Sequence, residues 1–581
     1  MKKIVFVLII LTLAFESGCK EHEPAGGKES ESGFPADKDN EFADGSGIVF
    51  PELNDQLLTN LELLGKIWGF LKYHHPAIGE GKFNWDNELF RILPKYLKAN
   101  NNDDRDKILT DWINQYGAIP HCATCSATST SAYIKPDLSW IEKSNINKDL
   151  RDKLNEIYQN RSQGEHYYIS IETLKPAFLH ERSYSGMVYP DAGFRLLALY
   201  RYWSMIQYFF PSKYLTDKNW DDVLKEYIPV FISAGDQLEY ELAAVQMIGE
   251  VNDSHAVIVG GGDAIDASRG DKYAPFRVWF IEGKLVVTEY YNPEFKASTG
   301  LEIGDIITHI NGETVESIVE NLKKYYPASN EPARLRDMSF DLLRSKYNSI
   351  NIDYISSGQA GQKELHLYDQ YSLNLYGWNK VNTDEKCYKL LDGNIGYVTL
   401  ASIRSEDVSA IISSFSNTKG IIIDIRNYPL TGTDFPGYFV SKTVPFVKYT
   451  GGNADNPGEF NFFQEEPLIN YFGQAYQGKL VVIVNEITQS AAEYTTMAFR
   501  AGDNTTIIGS RTAGADGDVS SIMLPGGLLT RISGIGIYYP DGRQTQRIGI
   551  IPDIWIEPTI AGIREGRDEL LEMAIKVINE E

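Results

Sequence analysis

A serine stands where an apolar strand meets a helix near the middle of the C-terminal half. The stretch VNEITQSAAEYTTMAFRAG, residues 484–502, begins at the end of an apolar run and continues with good helix formers, and Ser490 lies between them. A hydroxyl there can cap the helix, and Thr488 offers the same cap. It can also act as a nucleophile, because a helix N-terminus carries a partial positive charge. The stretch alone leaves both interpretations open.

A histidine offers a base for such a nucleophile. The stretch EVNDSHAVIVGG places Ser254 and His255 at the end of a helical pattern. A neutral imidazole, with an ordinary pKa of about 6.5, can accept a hydroxyl proton at neutral pH. Taken alone, the pair fits a helix cap or a turn equally well.

The cysteines suggest a disulfide rather than a metal site. Cys122 and Cys125 form the short motif HCATC, and Cys387 stands alone. A structural zinc site needs four ligands, and His121 with the two nearby cysteines supplies only three. In an oxidising compartment a short-loop disulfide is the alternative. We expect no metal.

The N-terminus is typical of an export signal. Lys2 and Lys3 precede an apolar run over residues 4–15, which is too short to span a bilayer as a mature helix. ESGC follows and ends at Cys19, which resembles a bacterial lipoprotein signal in which this cysteine is lipidated. Glu16 departs from that pattern, where an aliphatic residue is usual. An anchor that is never cleaved gives nearly the same location.

These features predict a signal peptide over residues 1–19 and a disordered tether over 20–48, which is rich in polar residues. The expected location is the bacterial cell envelope, as a lipoprotein that faces the periplasm or lies on the outer-membrane surface. The formal net charge of −24 excludes a nucleic-acid partner, because nothing offsets phosphate repulsion.

An internal repeat follows the tether. IWGFLKYHHP recurs as YWSMIQYFFP, and each copy leads into NWD. Apolar residues at helical spacing predict two helical domains, over 49–145 and 185–260, and the second carries Ser254 and His255. His74 and His75 could be read as metal ligands. They align with phenylalanines in the second copy, which favours a packing role.

Short strands dominate residues 271–368. GLEIGDIITHINGETV alternates apolar residues with turn residues and leads into a helix near Val315. This stretch resembles the core of a PDZ domain. The resemblance implies a module that binds an extended peptide as an added strand and holds its terminal carboxylate. A structural β module with an inactive groove is the alternative.

Strands and helices alternate over residues 385–581. IIIDIRNYP, VNEITQSAAEYTTMAFR and the segment from IGSRTAGA to IGIIPDI occur in this order after the PDZ-like module. Together they resemble the tail-specific, carboxy-terminal processing serine proteases and the core of tricorn protease. The resemblance implies a multidomain α+β chain with a crotonase-like α/β catalytic domain. It also implies proteolysis without a cofactor, with Ser490 as nucleophile.

The family activates its serine in two ways. In the processing branch a lysine between two glycines is the base, but Ala515 occupies that place here. In the tricorn branch a Ser-His pair before the PDZ-like module supplies the base, which implies His255, with Ser254 or Gln546 orienting the ring. The tricorn branch has a carboxylate where this chain has Gln546, and an amide cannot offset an imidazolium charge.

The resemblance also implies an oxyanion hole. Its backbone donors would be the amides of Ala491 and Leu430, although Leu430 replaces a usual glycine and Gly432 could take its place. Glu493 matches the Ser-x-x-Glu of the family and could assist. The alternative is a partly solvated carboxylate on a helix.

Two classes of function compete. The leading hypothesis is a lipid-anchored envelope serine endopeptidase that acts on proteins or peptides, recognised by their C-termini. The alternative is a catalytically inactive peptide-binding or scaffolding protein on the same fold, suggested by Gln546 and the missing glycines. A binder of small hydrophobic ligands is a third hypothesis, which rests only on the resemblance of this fold to retinoid-binding relatives.

Overall fold

The computed structural model describes residues 33–125, 127–376, 385–429 and 434–580. Cys19, the expected lipidation site, and Leu430, in the expected oxyanion loop, lie outside these residues. The described chain is a mixed α+β structure. None of its described helices has both the length and the apolar character that crossing a membrane requires.

The N-terminal part is helical, with one hairpin of strands Ile169–Glu172 and Lys175–Phe178. Its helices are Pro35–Lys38, Asp55–His74, Pro76–Gly79, Trp85–Tyr96, Asn102–Asn114, Ser139–Lys143, Lys148–Gln159, Ala192–Phe209, Trp220–Ser233 and Gln237–Gly249. The long helices form one core with the sheet that contains strands Val519–Leu524 and Leu528–Ser533.

The repeat of the sequence is also a repeat of structure. In the first copy the indole N–H of Trp68 donates to the carbonyl of Trp85 at 3.0 Å, and Trp85 donates back to Trp68 at 2.9 Å. In the second copy Trp203 and Trp220 make the same reciprocal bonds at 2.8 and 3.0 Å. Each pair satisfies two buried indole donors and ties the first helix of its copy to the second.

The buried histidines of the first copy have the packing role that the repeat predicts. His74 is fully buried and His75 is 1% exposed. Burial lowers the pKa of His74 to about 3 and that of His75 to about 4, so both rings are neutral. Cys122 and Cys125, for which the sequence left the pairing open, form a disulfide.

The middle part is built on a sheet in the order 359–366, 349–356, 306–310, 284–290, 276–281. Its strands are Phe276–Ile281, Lys284–Tyr290, Ile306–Ile310, Glu313–Thr314, Ser349–Ser356 and Gln359–His366, with short strands Lys272–Tyr273, Arg344–Ser345 and Tyr368–Asp369. Its helices are Asp263–Arg269, Lys296–Thr299, Val315–Leu322 and Glu331–Asp341. The short strands at 272–273 and 368–369 pair, so the module closes on itself.

The C-terminal part centres on a six-stranded sheet that is mostly parallel. In spatial order its strands are Tyr388–Leu391, Ile395–Thr399, Gly420–Asp424, Lys479–Val484, Thr505–Gly509 and Ile554–Trp555. Its helices are Asp407–Phe415, Ala491–Arg500, Ile560–Glu565 and Glu569–Asn579. The central strands are continuous apolar runs because both of their faces are buried.

Smaller sheets surround this one. Their strands are Val444–Pro445 with Leu468–Ile469, Phe460–Phe462 with Lys448–Gly452 and Gly536–Tyr538, and Val519–Leu524 with Leu528–Ser533 and Ile258–Gly260. The last of these sheets positions the site, because strand Ile258–Gly260 begins three residues after His255 in the chain. A residue from the helical repeat is thereby held against the C-terminal domain.

Candidate active site

Ser490 lies at a strained turn between a parallel strand and a helix. Strand Lys479–Val484 lies inside the six-stranded sheet. Helix Ala491–Arg500 begins directly after the serine. Ser490 has φ 60° and ψ −123°, whereas a helix-capping residue normally has extended backbone angles. Such a conformation costs a non-glycine residue about 1–3 kcal/mol and occurs most often at functional sites. Helix capping alone does not explain this backbone.

Glu493 fixes the backbone around the serine. Its carboxylate is fully buried and accepts hydrogen bonds from the Thr512 hydroxyl and from the N–H groups of Gly514 (2.8 Å), Ala515 (3.0 Å) and Ser490 (3.3 Å). Burial raises the pKa of Glu493 to about 7, and these hydrogen bonds oppose the rise. The interpretation of Glu493 as a partly solvated carboxylate was therefore wrong, because loop 512–515 folds over it.

The N–H of Ala491 is a free donor beside the nucleophile. The neighbouring Ser490 N–H donates to the carbonyl of Ala515 at 2.9 Å, and the Ala492 N–H donates to Gln489 at 3.1 Å. Within the described residues the Ala491 N–H makes no hydrogen bond. An unpaired amide at a helix N-terminus is suited to stabilise an oxyanion. Leu430, the second expected donor, lies outside the described residues.

Tyr428 is a neighbour of Ser490 that the sequence did not single out. Burial raises the pKa of the Tyr428 phenol, and a hydrogen bond with the Ser490 side chain opposes the rise. Tyr428 is 43% exposed, so its side chain is also in contact with solvent. The only signal in the sequence was its place four residues after the end of the buried strand Gly420–Asp424.

Loop 512–515 contacts both of the segments that carry the candidate catalytic residues. The hydroxyl of Ser254 donates to the carbonyl of Ala513 at 3.1 Å, and the Gln489 amide donates to the carbonyl of Ser254 at 3.4 Å. The same loop receives the Ser490 N–H through Ala515. The two candidate catalytic residues thus flank one loop, although no hydrogen bond links Ser490 directly to His255 among the described residues.

Ser533 and Asp253, rather than Ser254 or Gln546, orient the ring of His255. Its Nδ1 lies 2.9 Å from the Ser533 hydroxyl, and that hydroxyl donates to Asp253 Oδ1 at 3.0 Å. Ser254 instead contacts Ala513, and Gln546 makes no hydrogen bond to the ring. The expectation that Ser254 or Gln546 orients His255 is therefore corrected. Ser533 lies 278 residues from His255 in the chain, so no local pattern could reveal it.

Burial and nearby charges set the state of His255. Burial lowers its pKa below the ordinary value, and the Asp253 and Asp518 carboxylates oppose that effect. Arg531 and Arg336 add to the lowering. The ring is therefore neutral at neutral pH, which is the form that can accept a proton.

Gln546 and Asp516 are two further buried polar side chains, and they lie next to loop 512–515. Gln546 is 5% exposed, and its Nε2 has no hydrogen-bond partner within the described chain. Burial, together with the nearby Glu493 charge, raises the pKa of Asp516 well above its usual range. In the part of the chain that the structure describes, no cluster of His, Cys, Asp or Glu could hold a metal ion.

The family of the C-terminal domain follows from comparison with known proteins. Residues 394–556 match the model described as Peptidase family S41. The chain contains an S41 peptidase domain. The match confirms the resemblance that the three motifs indicated, and it places this domain among the serine-type peptidases.

A longer relative covers more of the chain. The tricorn protease of Thermoplasma volcanium is 23% identical over 361 residues, which are 59% of this chain and 32% of that protein. The chain thus corresponds to about a third of the length of this relative. Most of the tricorn protease lies outside the match.

Solved structures share the fold. A CPAF mutant superposes with a TM-score of 0.54 at 15% identity, over 67% of this chain and 98% of that chain. Mature CPAF complexed with lactacystin superposes with a TM-score of 0.51 at 14% identity, over 67% of this chain and 99% of that chain. The likeness therefore extends beyond the S41 domain into the preceding modules.

Proposed function

We propose that this chain is a serine endopeptidase in which Ser490 is the nucleophile and His255 the general base. The strained backbone of Ser490 at the start of helix Ala491–Arg500 is the observation that carries the proposal. The unpaired Ala491 N–H and the neutral, buried His255 support it, because acyl transfer needs an oxyanion donor and a proton acceptor.

The proposed reaction has two halves. Ser490 Oγ attacks the peptide carbonyl carbon while its proton passes to His255 Nε2, and the Ala491 N–H donates to the oxyanion. The C–N bond then breaks, and His255 gives the proton to the leaving amine. Water next attacks the acyl-enzyme and loses a proton to His255. That proton returns to Ser490 as the ester breaks, which leaves a free carboxylic acid.

Fluorophosphonate labelling tests the proposal, because the probe reacts with an activated serine. The wild-type chain should label, and Ser490→Ala and His255→Ala should not. Ser416→Ala is the matched control, since Ser416 is an exposed serine outside the site and its removal should leave labelling intact. Wild-type labelling that persists in Ser490→Ala would refute the assignment.

A catalytically inactive peptide-binding or scaffolding protein is the second candidate. The absence of a direct hydrogen bond between Ser490 and His255 in the described chain favours it, as does Gln546 in place of a carboxylate. Catalytic hydrogen bonds are often formed only when substrate binds, so the geometry suits both candidates. Folded wild-type protein that never labels would select the inactive one.

Substrate recognition by the middle module belongs to the same proposal. A cavity of about 310 Å³ lies between its sheet and helices Val315–Leu322 and Glu331–Asp341, with apolar walls from Phe280, Val319 and Leu335. Helix Glu331–Asp341 also packs against the edge strand Phe276–Ile281. We infer a PDZ-like groove that takes the C-terminal residues of a protein substrate.

Titration with C-terminal peptides tests this groove. A peptide with a free C-terminal carboxylate should bind more tightly than its C-terminal amide, and Val319→Asp should remove the difference. Ile318→Asp, on the same helix and outside the cavity lining, is the control. Equal affinity for the acid and the amide would exclude carboxylate recognition.

The location is proposed from the sequence. Lipidation of Cys19 would place the chain in the bacterial envelope, facing the periplasm or on the outer-membrane surface. Fractionation of cells should then find the wild-type chain with the membranes, and Cys19→Ala should release it or block its maturation. A soluble mature protein that begins at another residue would contradict lipid anchoring.

A further inference from the structure

Ser533 and Asp253 form a buried chain of hydrogen bonds behind the candidate base. The Ser533 hydroxyl lies between His255 Nδ1 at 2.9 Å and Asp253 Oδ1 at 3.0 Å. The serine is 1% exposed and the aspartate is fully buried. We propose that this pair positions His255 and fixes the tautomer in which Nε2 is free to accept the Ser490 proton. The inference rests on the proposed peptidase function.

The protons available on Asp253, Ser533 and His255 decide which group donates in each hydrogen bond. An ionised carboxylate only accepts, whereas a hydroxyl has one proton to donate and lone pairs to accept with. Asp253 therefore takes the Ser533 proton, and Ser533 Oγ must accept from an Nδ1–H of His255. That tautomer leaves Nε2 without a proton, as a general base requires.

The backbone keeps this arrangement in place. Asp253 Oδ2 accepts the Ser533 N–H at 2.6 Å, and Asp253 Oδ1 accepts the His255 N–H at 3.1 Å. Ser533 ends strand Leu528–Ser533, which pairs with strand Ile258–Gly260 just after His255. Two backbone N–H groups and a strand pairing thus hold the Asp253 carboxylate beside both partners.

Asp253 also supplies the negative charge that Gln546 lacks. Its Oδ1 lies 3.9 Å from His255 Nδ1, so the carboxylate stabilises the imidazolium that forms during attack. Ser533 transmits this contact by a hydrogen bond on each side. The carboxylate thus acts from the segment just before His255, and residue 546 is not required for it.

Fluorophosphonate kinetics on the full chain test the proposal. Ser533→Ala should lower the maximal labelling rate by about 10–100-fold and leave the half-saturating probe concentration unchanged. Ser533→Thr keeps the hydroxyl and should retain most of the rate. Asp253→Asn should lower the rate by up to about 10⁴-fold, because an amide can donate to Ser533 and select the wrong tautomer.

Ser520→Ala is the matched control. Ser520 is a buried serine on the adjacent strand, and its hydroxyl has no hydrogen-bond partner within the described residues. It should label at the wild-type rate. Ser533→Cys nearly preserves the side-chain volume but accepts hydrogen bonds weakly, so it should behave like Ser533→Ala even if the alanine variant folds poorly.

The pH profile separates positioning from a merely structural role. The charged groups facing His255 are Asp253, Asp518, Arg531 and Arg336. Removing the Asp253 charge should move the acid limb of the labelling profile to lower pH, because that carboxylate favours the imidazolium. Asp518→Asn should move it in the same direction by less, without the large loss of maximal rate.

Defined outcomes overturn the proposal. A folded Ser533→Ala that labels within twofold of wild type would do so, and so would a loss that appears only in the half-saturating concentration. Either result leaves the proposed peptidase standing if Ser490→Ala remains unlabelled. Wild-type protein that never labels would remove the proposed function itself, before any Ser533 variant is compared.

Discussion

The two helical repeats share a scaffold and differ in the segment that leaves it. Each copy has the reciprocal tryptophan pair, and each has an asparagine cap, Asn84 or Asn219, at the start of its second helix. After its third helix the first copy leads to the disulfide between Cys122 and Cys125. The second copy leads to His255. The repeated helices provide packing, and the segment that follows the helices of the second copy contains the candidate base.

The position of the histidines differs in the same way. His74 lies inside the first copy, where it takes the place that Phe209 has in the second copy. His255 lies after the last helix of the second copy, where its ring contacts Ser533 at the end of strand Leu528–Ser533. Burial lowers the pKa of both rings, but only His255 also has a carboxylate partner, Asp253. Burial alone therefore does not identify a base.

The largest predicted difference concerns the segments that leave the two copies. Ser490→Ala and His255→Ala should each lower the fluorophosphonate labelling rate by about 10⁴-fold or more, and the double variant should lose little further, because the pair acts as a unit. Replacing Cys122 and Cys125 by serine should leave the rate unchanged. A double variant whose losses simply add would show that the two residues act independently.

The next largest effect comes from the shared tryptophan pairs. Trp85→Ala and Trp220→Ala should each lower the free energy of unfolding by about 3–5 kcal/mol, measured by denaturant titration. Asp217, three residues before Trp220, donates its N–H to Asn252 at 2.9 Å, and Asn252 directly precedes Asp253. Trp220→Ala should therefore also lower the labelling rate per folded molecule.

Trp555→Ala is the control for this comparison. Its side chain is 55% exposed, so the change should alter the free energy of unfolding by no more than about 0.5 kcal/mol. Equal labelling losses per folded molecule in Trp85→Ala and Trp220→Ala would show that the two copies support the site equally. The claim that both copies provide packing while only the second supports the site would then be wrong.

Sequence predicted the features that depend on periodicity and local spacing. The repeat motif predicted the helical copies, and its alignment predicted the buried role of His74 and His75. The short spacing of Cys122 and Cys125 allowed a disulfide without deciding it, and the structure has one. These features are local, so the residue types and their separation contain the necessary information.

The remainder of the site depends on long-range contacts. Ser533 meets His255 only because strand Leu528–Ser533 pairs with strand Ile258–Gly260, far away in the sequence. Glu493 looked solvated because a helix position gives no sign that a loop will cover it. The φ of Ser490 was equally hidden, since tertiary contacts impose that strain.

The third prediction concerns how labelling depends on pH when His255 is the base. Burial disfavours the charged form of His255, so labelling should rise through one ionisation below pH 6.5, the ordinary His value, and stay level above it. Below the midpoint the rate should fall about tenfold per pH unit, because protonation removes the base. A midpoint above neutral pH would indicate a different base, such as a lysine.

The smallest expected effect is a substitution that makes the first copy more like the second. His74→Phe introduces the residue type found at the aligned position, Phe209. It removes one hydrogen bond, from Nδ1 to the Phe70 carbonyl at 2.8 Å, but it also removes a buried Nε2 that has no partner in the described chain. The two effects oppose each other, so the free energy of unfolding should change by no more than about 1 kcal/mol.

The labelling rate of His74→Phe should equal that of wild type, whereas His255→Phe should abolish labelling. Both variants replace a buried imidazole with a larger ring, so a difference between them reports chemistry rather than volume. If His74→Phe lost labelling at an unchanged melting temperature, the first copy would contribute to catalysis. The first copy would then not be a purely structural part of the molecule.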